Sequence, residues 1–218
     1  TTYLTVEGFS AHDNVQEAVD RMRTGPWPRM HAIRSAIKNN LKQRHTVIEG
    51  FGNDLDFVRF VYQRMEKWEY WINRVSNSSA PTRHDKDGSG IRKYRSEAVN
   101  LVADLAHVRI RDLVLLLAHF EFPTMVAASS QHYLETDDRQ TLLSEIGVSE
   151  ECMISEEAWD PRFLSKALTG STDTAPCWER NSALNALLRE LLAIAGGDSR
   201  QAILGILGWL EWTRGRSS

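Results

Sequence analysis

The residues best suited to chemistry lie in a short polar stretch, Arg109-Ile-Arg111-Asp112, that precedes an apolar segment. A carboxylate near the start of a helix is stabilised by the helix dipole, and Asp112 suits that position. An arginine beside buried surface needs a partner, because an unpaired buried charge is costly. Arg111 and Asp112 therefore have two interpretations. The simpler is a structural ion pair or helix cap, and the alternative is a pair of groups that faces a ligand.

Two patterns that are similar to metal sites are incomplete. Segment 85–90 opens like a calcium-binding EF-hand loop, but position twelve of that loop is Ser96 instead of a bidentate Glu. His119-Phe-Glu121 and Pro176-Cys177 are similar to the ligand elements of zinc deaminases, but Arg180 stands where the second cysteine belongs. We therefore predict no metal site and no cofactor.

Other catalytic motifs are missing from the sequence. It contains no G-x-S-x-G, no phosphate-binding P-loop, no dinucleotide-binding glycine motif after a strand, and no H-E-x-x-H. An active site assembled from distant residues would leave no such trace in spacing. The sequence thus gives an enzyme no support, and it leaves that class open.

Charge is unevenly distributed along the chain, whose net charge is −3. Seven Lys or Arg and no acid occur between Arg21 and Ile48, whereas nine acids and one base occur between Glu135 and Asp160. Such asymmetry is typical of a surface that binds a polyanion, or of two helices that attract each other within one domain. A solvated face is the simpler interpretation, since surface charge seldom has a dedicated partner.

The basic helix predicted over residues 29–45 is the region that would contact a nucleic acid. Cations on its exposed side would neutralise phosphates and give a salt-dependent affinity. The sequence pI of about 6.2 and the lack of a recognition motif make nucleic acid the less favoured partner. The candidate contacts on this helix are Arg34, Lys38 and Lys42.

Apolar residues at steps of three and four predict helices along nearly the whole chain. The longest is predicted from about residue 54 to 75, and 110–120 is apolar nearly all round, as expected of a central buried helix. Gly147 and Gly170 are predicted to end helices. Further helices are predicted at 10–22, from about residue 28, and at 98–105, 124–134, 138–146, 161–168, 176–195 and 198–212.

These elements predict an all-α fold, a multi-helix bundle whose last two helices form a repeat-like antiparallel hairpin. A Ser-, Asn-, Pro-, Asp- and Gly-rich stretch, 77–90, reads as an exposed loop between an N-terminal helical part, 1–76, and a C-terminal one, 91–218. We expect both parts to pack as one unit. Gly205 and Gly208 are predicted to let a neighbouring helix approach closely, so that Gly205→Leu would destabilise the domain.

Composition favours a cytoplasmic protein. No run of roughly 18–20 apolar residues is present, and the residues after Thr1 lack the layout of a signal peptide. Cys152 and Cys177 are the two cysteines of the chain and do not form a CxxC pair, which indicates a reducing compartment.

Two segments resemble a known family. Residues 97–116, EAVNLVADLAHVRIRDLVLL, resemble the "L…aL.dv.vRDa" signature of the actinobacterial domain-of-unknown-function 4192 family. Residues 202–218, AILGILGWLEWTRGRSS, resemble that family's "LLA…W.rGrs.a" stretch. The resemblance covers residues 97–218 and implies a longer protein, with an α/β half before these helices and one more helix after them. It implies no activity.

The leading hypothesis is a non-catalytic module that binds a protein partner or packs on a preceding half of the same protein. Its basis is a helical scaffold with seven tryptophans and no catalytic constellation. Its candidate contacts are Trp209, Trp212, Arg214 and Arg216, at the end that the resemblance would cover with another helix. The alternatives are a polyanion binder through 29–45, and an enzyme that needs the preceding half and uses Arg111 and Asp112.

Overall fold

The computed structural model describes residues 30–51, 54–77, 91, 94–147, 156–173 and 175–216. Over these ranges the chain forms α-helices, one short 3-10 helix and no strand, so the predicted all-α bundle is confirmed. The helices are α1 (Met30–Glu49), α2 (Asp54–Ser76), α3 (Arg95–Asp104), α4 (Val108–Leu117), α5 (Phe122–Tyr133), α6 (Thr136–Glu145), α7 (Phe163–Leu168), α8 (Trp178–Leu192) and α9 (Gly197–Arg216), with the 3-10 helix at Glu156–Trp159.

Helix α2 is the centre of the bundle. It packs most extensively on α8 and also against α4, α5 and α6. Its predicted apolar stripe is confirmed, since Met65, Trp68 and Ile72 are fully buried. The predicted packing on a second side is also present, because Tyr62 is buried and its hydroxyl donates to the Val126 carbonyl of α5 over 3.1 Å.

The last two helices form the predicted hairpin, with α9 packed on α8. Polar side chains reinforce the contact. The Asn185 amide donates to Glu211 over 3.0 Å, and the Arg214 guanidinium donates to the Ser182 hydroxyl over 3.1 Å. The apolar segment predicted as a central helix becomes α4, where Leu113, Val114 and Leu117 among others are fully buried.

Both predicted glycine caps are confirmed. Gly147 and Gly170 have φ values of 69° and 67°, a left-handed conformation that other residues adopt at a cost. At Gly170 the end of α7 is a Schellman motif, since Ser171 N–H donates to the Lys166 carbonyl over 2.7 Å and Gly170 N–H to the Ala167 carbonyl over 3.2 Å. The chain therefore turns sharply after α7.

Three predicted features lie outside the described residues: the helix at 10–22, the start of the basic helix before Met30, and the EF-hand-like segment with most of the 77–90 loop. The hydrophobic core is continuous across that loop. It joins Ile37 and Trp68 from the N-terminal part to Leu117 and Leu187 from the C-terminal part.

A buried carboxylate, Asp104, joins the first three helices. It is fully buried at the end of α3 and accepts two hydrogen bonds from Arg64 of α2, over 2.9 and 3.0 Å. Trp68 Nε1 donates to it over 3.2 Å, and Arg44 of α1 forms an ion pair with it. Burial, with the neighbouring charge of Arg64, lowers the pKa of Arg44 to about 9. The two guanidinium groups thus depend on this one carboxylate.

The predicted role of Gly205 and Gly208 is wrong within the described residues. Both glycines are exposed on α9, and a Cβ atom placed on either would have no heavy atom within 4 Å. No neighbouring helix approaches them, so the close packing on which the expected destabilisation by Gly205→Leu depends is absent.

We expect Gly205→Ala to stabilise the protein by about 1 kcal/mol, because a glycine in a helix interior costs about that much relative to alanine. For a chain of this size this corresponds to a rise in Tm of roughly 2–4 °C, measured by thermal unfolding. Gly147→Ala is the matched control. It also meets nothing within 4 Å, but its φ of 69° strains alanine, so its Tm should fall. Equal shifts of the same sign would contradict this account.

We expect Asp104→Asn to destabilise the protein by about 3 kcal/mol, measured by urea unfolding. The change removes the carboxylate with which both Arg44 and Arg64 pair, and their side chains are only 12% and 16% exposed. Glu211→Gln serves as the control, because Glu211 is 53% exposed and its ion pair should contribute less than about 1 kcal/mol. A loss at Asp104 no greater than that at Glu211 would show that the buried cluster is dispensable.

Candidate binding groove beside the last helix

An open surface groove lies between the turn after α7 and the last turns of α9. Its volume is about 680 Å³, and it is shallow and widely open to solvent. Two tryptophans from consecutive turns of α9 supply its aromatic surface, and two hydroxyl side chains stand on the side of the turn. The lining residues are Leu168, Thr169, Ser171, Gly208, Trp209 and Trp212.

Trp209 forms a fixed wall of the groove. Its Nε1 donates to the Leu168 carbonyl over 3.0 Å, which links α9 to the end of α7. Its ring centroid lies 4.9 Å from that of His119, which is buried after α4. His119 Nε2 in turn lies 3.1 Å from the Asn181 amide nitrogen of α8. Three segments thus hold this indole in place.

Trp212 forms the outer part of the groove and is 40% exposed. Two of its ring carbons lie 3.7 Å from where a Cβ atom of residue 170 would stand. Because Gly170 adopts a left-handed conformation, the turn passes close to the indole without a side chain between them. Glycine is therefore favoured here by the left-handed path of the chain, while a Cβ atom would meet the indole at ordinary van der Waals distance.

Gly208 contributes backbone without a side chain to the α9 side of the groove, so no atoms project from this position into it. On the opposite side the Thr169 hydroxyl donates to the Ser165 carbonyl over 2.9 Å, which leaves its oxygen to accept from the Ser171 hydroxyl over 3.2 Å. The Ser171 oxygen still has a lone pair with which to accept from a bound group. The groove therefore combines indole surface, exposed backbone and a hydrogen-bond acceptor.

Trp212 and Arg214, which the sequence suggests as contacts of one interface, take different roles. Trp212 lines the groove. Arg214 is half-buried and donates to Glu211 over 3.3 Å and to Ser182 over 3.1 Å, so its guanidinium joins α9 to α8. Of the pair, only Trp212 presents most of its polar or aromatic surface to the groove.

Arg111 and Asp112 are half-buried on α4, and neither lies at the helix start where the sequence suggests a cap. Because α4 begins at Val108, Asp112 lies beyond its first turn and does not cap it. No ion pair within 4 Å joins Arg111 and Asp112, although both are described residues. Burial raises the pKa of Asp112, and the positive charge of Arg111 partly opposes this. The two residues therefore interact through space and contribute nothing to the groove.

The residue beside them, Arg109, is held between two aromatic rings. Its guanidinium carbon lies 4.9 Å from the centroid of Phe57 and 5.2 Å from that of Tyr133. The pKa of His107, whose ring lies 5.5 Å from that of Phe57, is lowered by burial and by the Arg109 charge. This surface cluster stabilises the junction of α2, α4 and α5 through cation–π contacts.

The basic residues of α1 divide into two groups. Arg34, Lys38 and Lys42 are exposed on one side of the helix, as the sequence predicts. Arg44, which the sequence places at the end of the same basic stripe, points inward to Asp104 and is only 12% exposed. The stripe of surface cations is therefore shorter than residues 29–45, of which Arg29 lies outside the described residues.

His119 and Cys177, the ends of the zinc-like pattern, meet through the backbone. Cys177 N–H donates to the His119 carbonyl over 3.3 Å, while the Cys177 side chain is exposed. In the part of the chain that the structure describes, no three His, Cys, Asp or Glu side chains are grouped as metal ligands. His119 instead supports the groove through Trp209.

Sequence reasoning singled out Trp209, Trp212 and Gly208 without joining them into one groove, and it missed the other three lining residues. Leu168, Thr169 and Ser171 lie about forty positions before Trp209, so no local spacing connects them. The available signal was the Gly208-Trp209-Leu-Glu-Trp212 segment, in which a helix presents two indoles and a bare position together. Nothing in the sequence indicated that His119 packs on Trp209, beyond the position of His119 in an apolar segment.

Comparison with family models, with curated proteins and with solved structures found no match to this chain. The resemblance to the domain-of-unknown-function 4192 family therefore stays a prediction. Among the described helices, none is both long enough and apolar enough to cross a membrane.

We expect acid to destabilise the protein through His119. Burial lowers the pKa of His119 from 6.5 to about 4. Between these values the unfolded chain binds a proton that the folded chain does not, so stability falls as the pH falls from about 6.5 to about 4. The contribution is about 3 kcal/mol, since one pKa unit corresponds to about 1.4 kcal/mol.

The measurement is urea unfolding at pH 7 and at pH 4.5 for the wild type, for His119→Gln and for His132→Gln, which removes an exposed histidine. His119→Gln should reduce the pH-dependent loss, and His132→Gln should leave it nearly unchanged. An identical pH dependence in all three proteins would show that His119 is not held neutral by the fold.

Proposed function

We propose that this protein is a non-catalytic interaction module, and that the groove between the α7 turn and α9 receives a short peptide segment of a protein partner. The observation that carries the proposal is the open groove with Trp212 at its edge, 40% exposed although tryptophan gains much from burial. Tryptophan is among the residues that contribute most to binding at protein interfaces.

The shape of the groove favours a protein partner over a small molecule. Small-molecule sites enclose most of the ligand, whereas this groove is shallow and open along its length. A groove of this kind suits a segment that remains attached to a larger surface. Trp209 is already fixed by its hydrogen bond to the Leu168 carbonyl and by packing on His119. Binding would therefore cost little side-chain entropy at this residue.

The lining defines the chemistry of the bound segment. An apolar or aromatic side chain would pack on the Trp212 indole and on the bare backbone at Gly208. The Ser171 oxygen would accept from a main-chain N–H of the same segment, because the Ser171 hydroxyl donates to Thr169 and its oxygen keeps a free lone pair. The partner sequence should therefore show one large apolar side chain flanked by accessible backbone.

We expect Trp212→Ala and Gly208→Leu to weaken partner binding at least tenfold, since an aromatic anchor at an interface commonly contributes more than about 1.4 kcal/mol. Trp212→Ala removes the aromatic surface. Gly208→Leu fills part of the groove, since the added Cβ atom meets no heavy atom within 4 Å and leucine favours the helix. The measurement is affinity capture from lysate, followed by calorimetric titration of the purified captured protein.

Tyr70→Ala is the matched control, because Tyr70 is a 54% exposed aromatic residue of α2 outside the groove. It should capture the same partner with unchanged affinity. Binding that survives both groove variants, or that Tyr70→Ala abolishes equally, would refute the groove as the interaction site. The melting temperature of Gly208→Leu should not fall, and this separates a blocked groove from an unfolded protein.

A further inference from the structure

The outward side of α1 carries a basic face, defined here as Arg34, Lys38 and Lys42. All three side chains are exposed. They stand four positions apart, so successive cations lie about 6 Å apart along the helix axis and all three fall within about 80° of helix rotation. The face is therefore one continuous row of positive charge.

The row has no ion-pair partner in the part of the chain that the structure describes. Within the described residues, no carboxylate lies within 4 Å of any of the three cations. Glu49, the only acid in α1, pairs with His45 at 3.2 Å. On the neighbouring helix α3, Asp104 is already paired with Arg44 and Arg64. The attraction of the row is thus available to a molecule outside the chain.

Neutral polar residues lie next to each of the three cations. Ser35, Asn39 and Gln43 are exposed along the same helix, and these are side-chain types that donate to phosphate oxygens. Helix α1 contains no Phe, Tyr or Trp, so it cannot stack on unpaired bases as proteins that bind single strands do. This composition fits contacts to a phosphate backbone and gives no means of reading bases.

We propose that the basic face of α1 binds the sugar–phosphate backbone of a nucleic acid duplex without regard to sequence. The row is held rigidly outward, because Ile33 and Ile37 are buried against the bundle and Arg44 is anchored on Asp104. The net charge of −3 repels a polyanion from the rest of the surface, which confines binding to this face and keeps it weak. Dissociation constants of roughly 10⁻⁴–10⁻⁶ M are expected for such binding.

The test measures the fluorescence anisotropy of a labelled DNA duplex of about 24 base pairs. The duplex is titrated with the full chain at salt concentrations between about 50 and 200 mM. Three neutralised phosphates predict a slope of about −2.7 for the logarithm of affinity against the logarithm of salt concentration. Over this range the affinity should therefore fall about 40-fold. Duplexes of different sequence should bind equally.

Substitutions separate the basic face from general charge. Lys38→Gln combined with Lys42→Gln should reduce the slope to about −1 and the salt effect to about threefold, because one phosphate contact remains. Lys38→Arg combined with Lys42→Arg keeps both charges and should retain the wild-type slope. Arg189→Gln is the control outside the face, since Arg189 is an exposed residue of α8, and it should bind like the wild type.

Three outcomes would overturn the proposal: no binding to the duplex at 50 mM salt, a slope that Lys38→Gln/Lys42→Gln leaves unchanged, or binding through these lysines to anionic phospholipid vesicles but not to the duplex. Exposed Gln at these positions favours the helix, and an unchanged circular dichroism spectrum verifies the fold. Trp212→Ala should bind the duplex normally, so failure of this proposal is distinguishable from failure of the interaction groove.

Discussion

The ion pairs of Asp104 are the interaction on which the placement of α1 depends. Helix α1 packs mainly on α3, and its main charged anchor is the contact of Arg44 with this fully buried carboxylate. Arg64 and Trp68 of α2 bind the same group, so three helices converge on one side chain. A buried ion pair adds little net stability compared with apolar packing, but it is directional and tolerates few alternative arrangements. It therefore fixes which side of α1 faces outward.

A second buried ion pair organises the other half of the bundle. Arg180 of α8 binds Glu69 of α2, and it also donates to the Asn73 side chain over 3.0 Å and to the Leu117 carbonyl over 3.1 Å. This joins α8 to the central helix and to the end of α4, two residues before His119. His119 then supports Trp209 of α9. The groove thus rests on polar contacts inside the bundle, just as the basic face does.

Periodicity predicted the helices well, because burial of one side imposes a repeat that is visible in any single sequence. The same periodicity could not predict which charged side chains are buried. Lys42 and Arg44 lie two positions apart on one helix, yet one is exposed and the other is anchored on Asp104. Their difference depends on the α3 and α2 side chains that α1 meets. For the same reason the groove was only partly predicted, since its two sides come from distant segments that tertiary packing brings together.

The glycines of α9 show how a wrong prediction can still identify a surface. Gly205 and Gly208 each cost about 1 kcal/mol relative to alanine, and no helix of the described residues approaches them in return. Gly208 has a role, because a side chain there would fill the groove. Gly205 stands three positions earlier, on the same side of α9, and extends the bare backbone away from Trp212. In the proposed interaction module, the backbone at Gly208 would therefore face the bound segment, whereas Gly205 lies outside the lining of the groove.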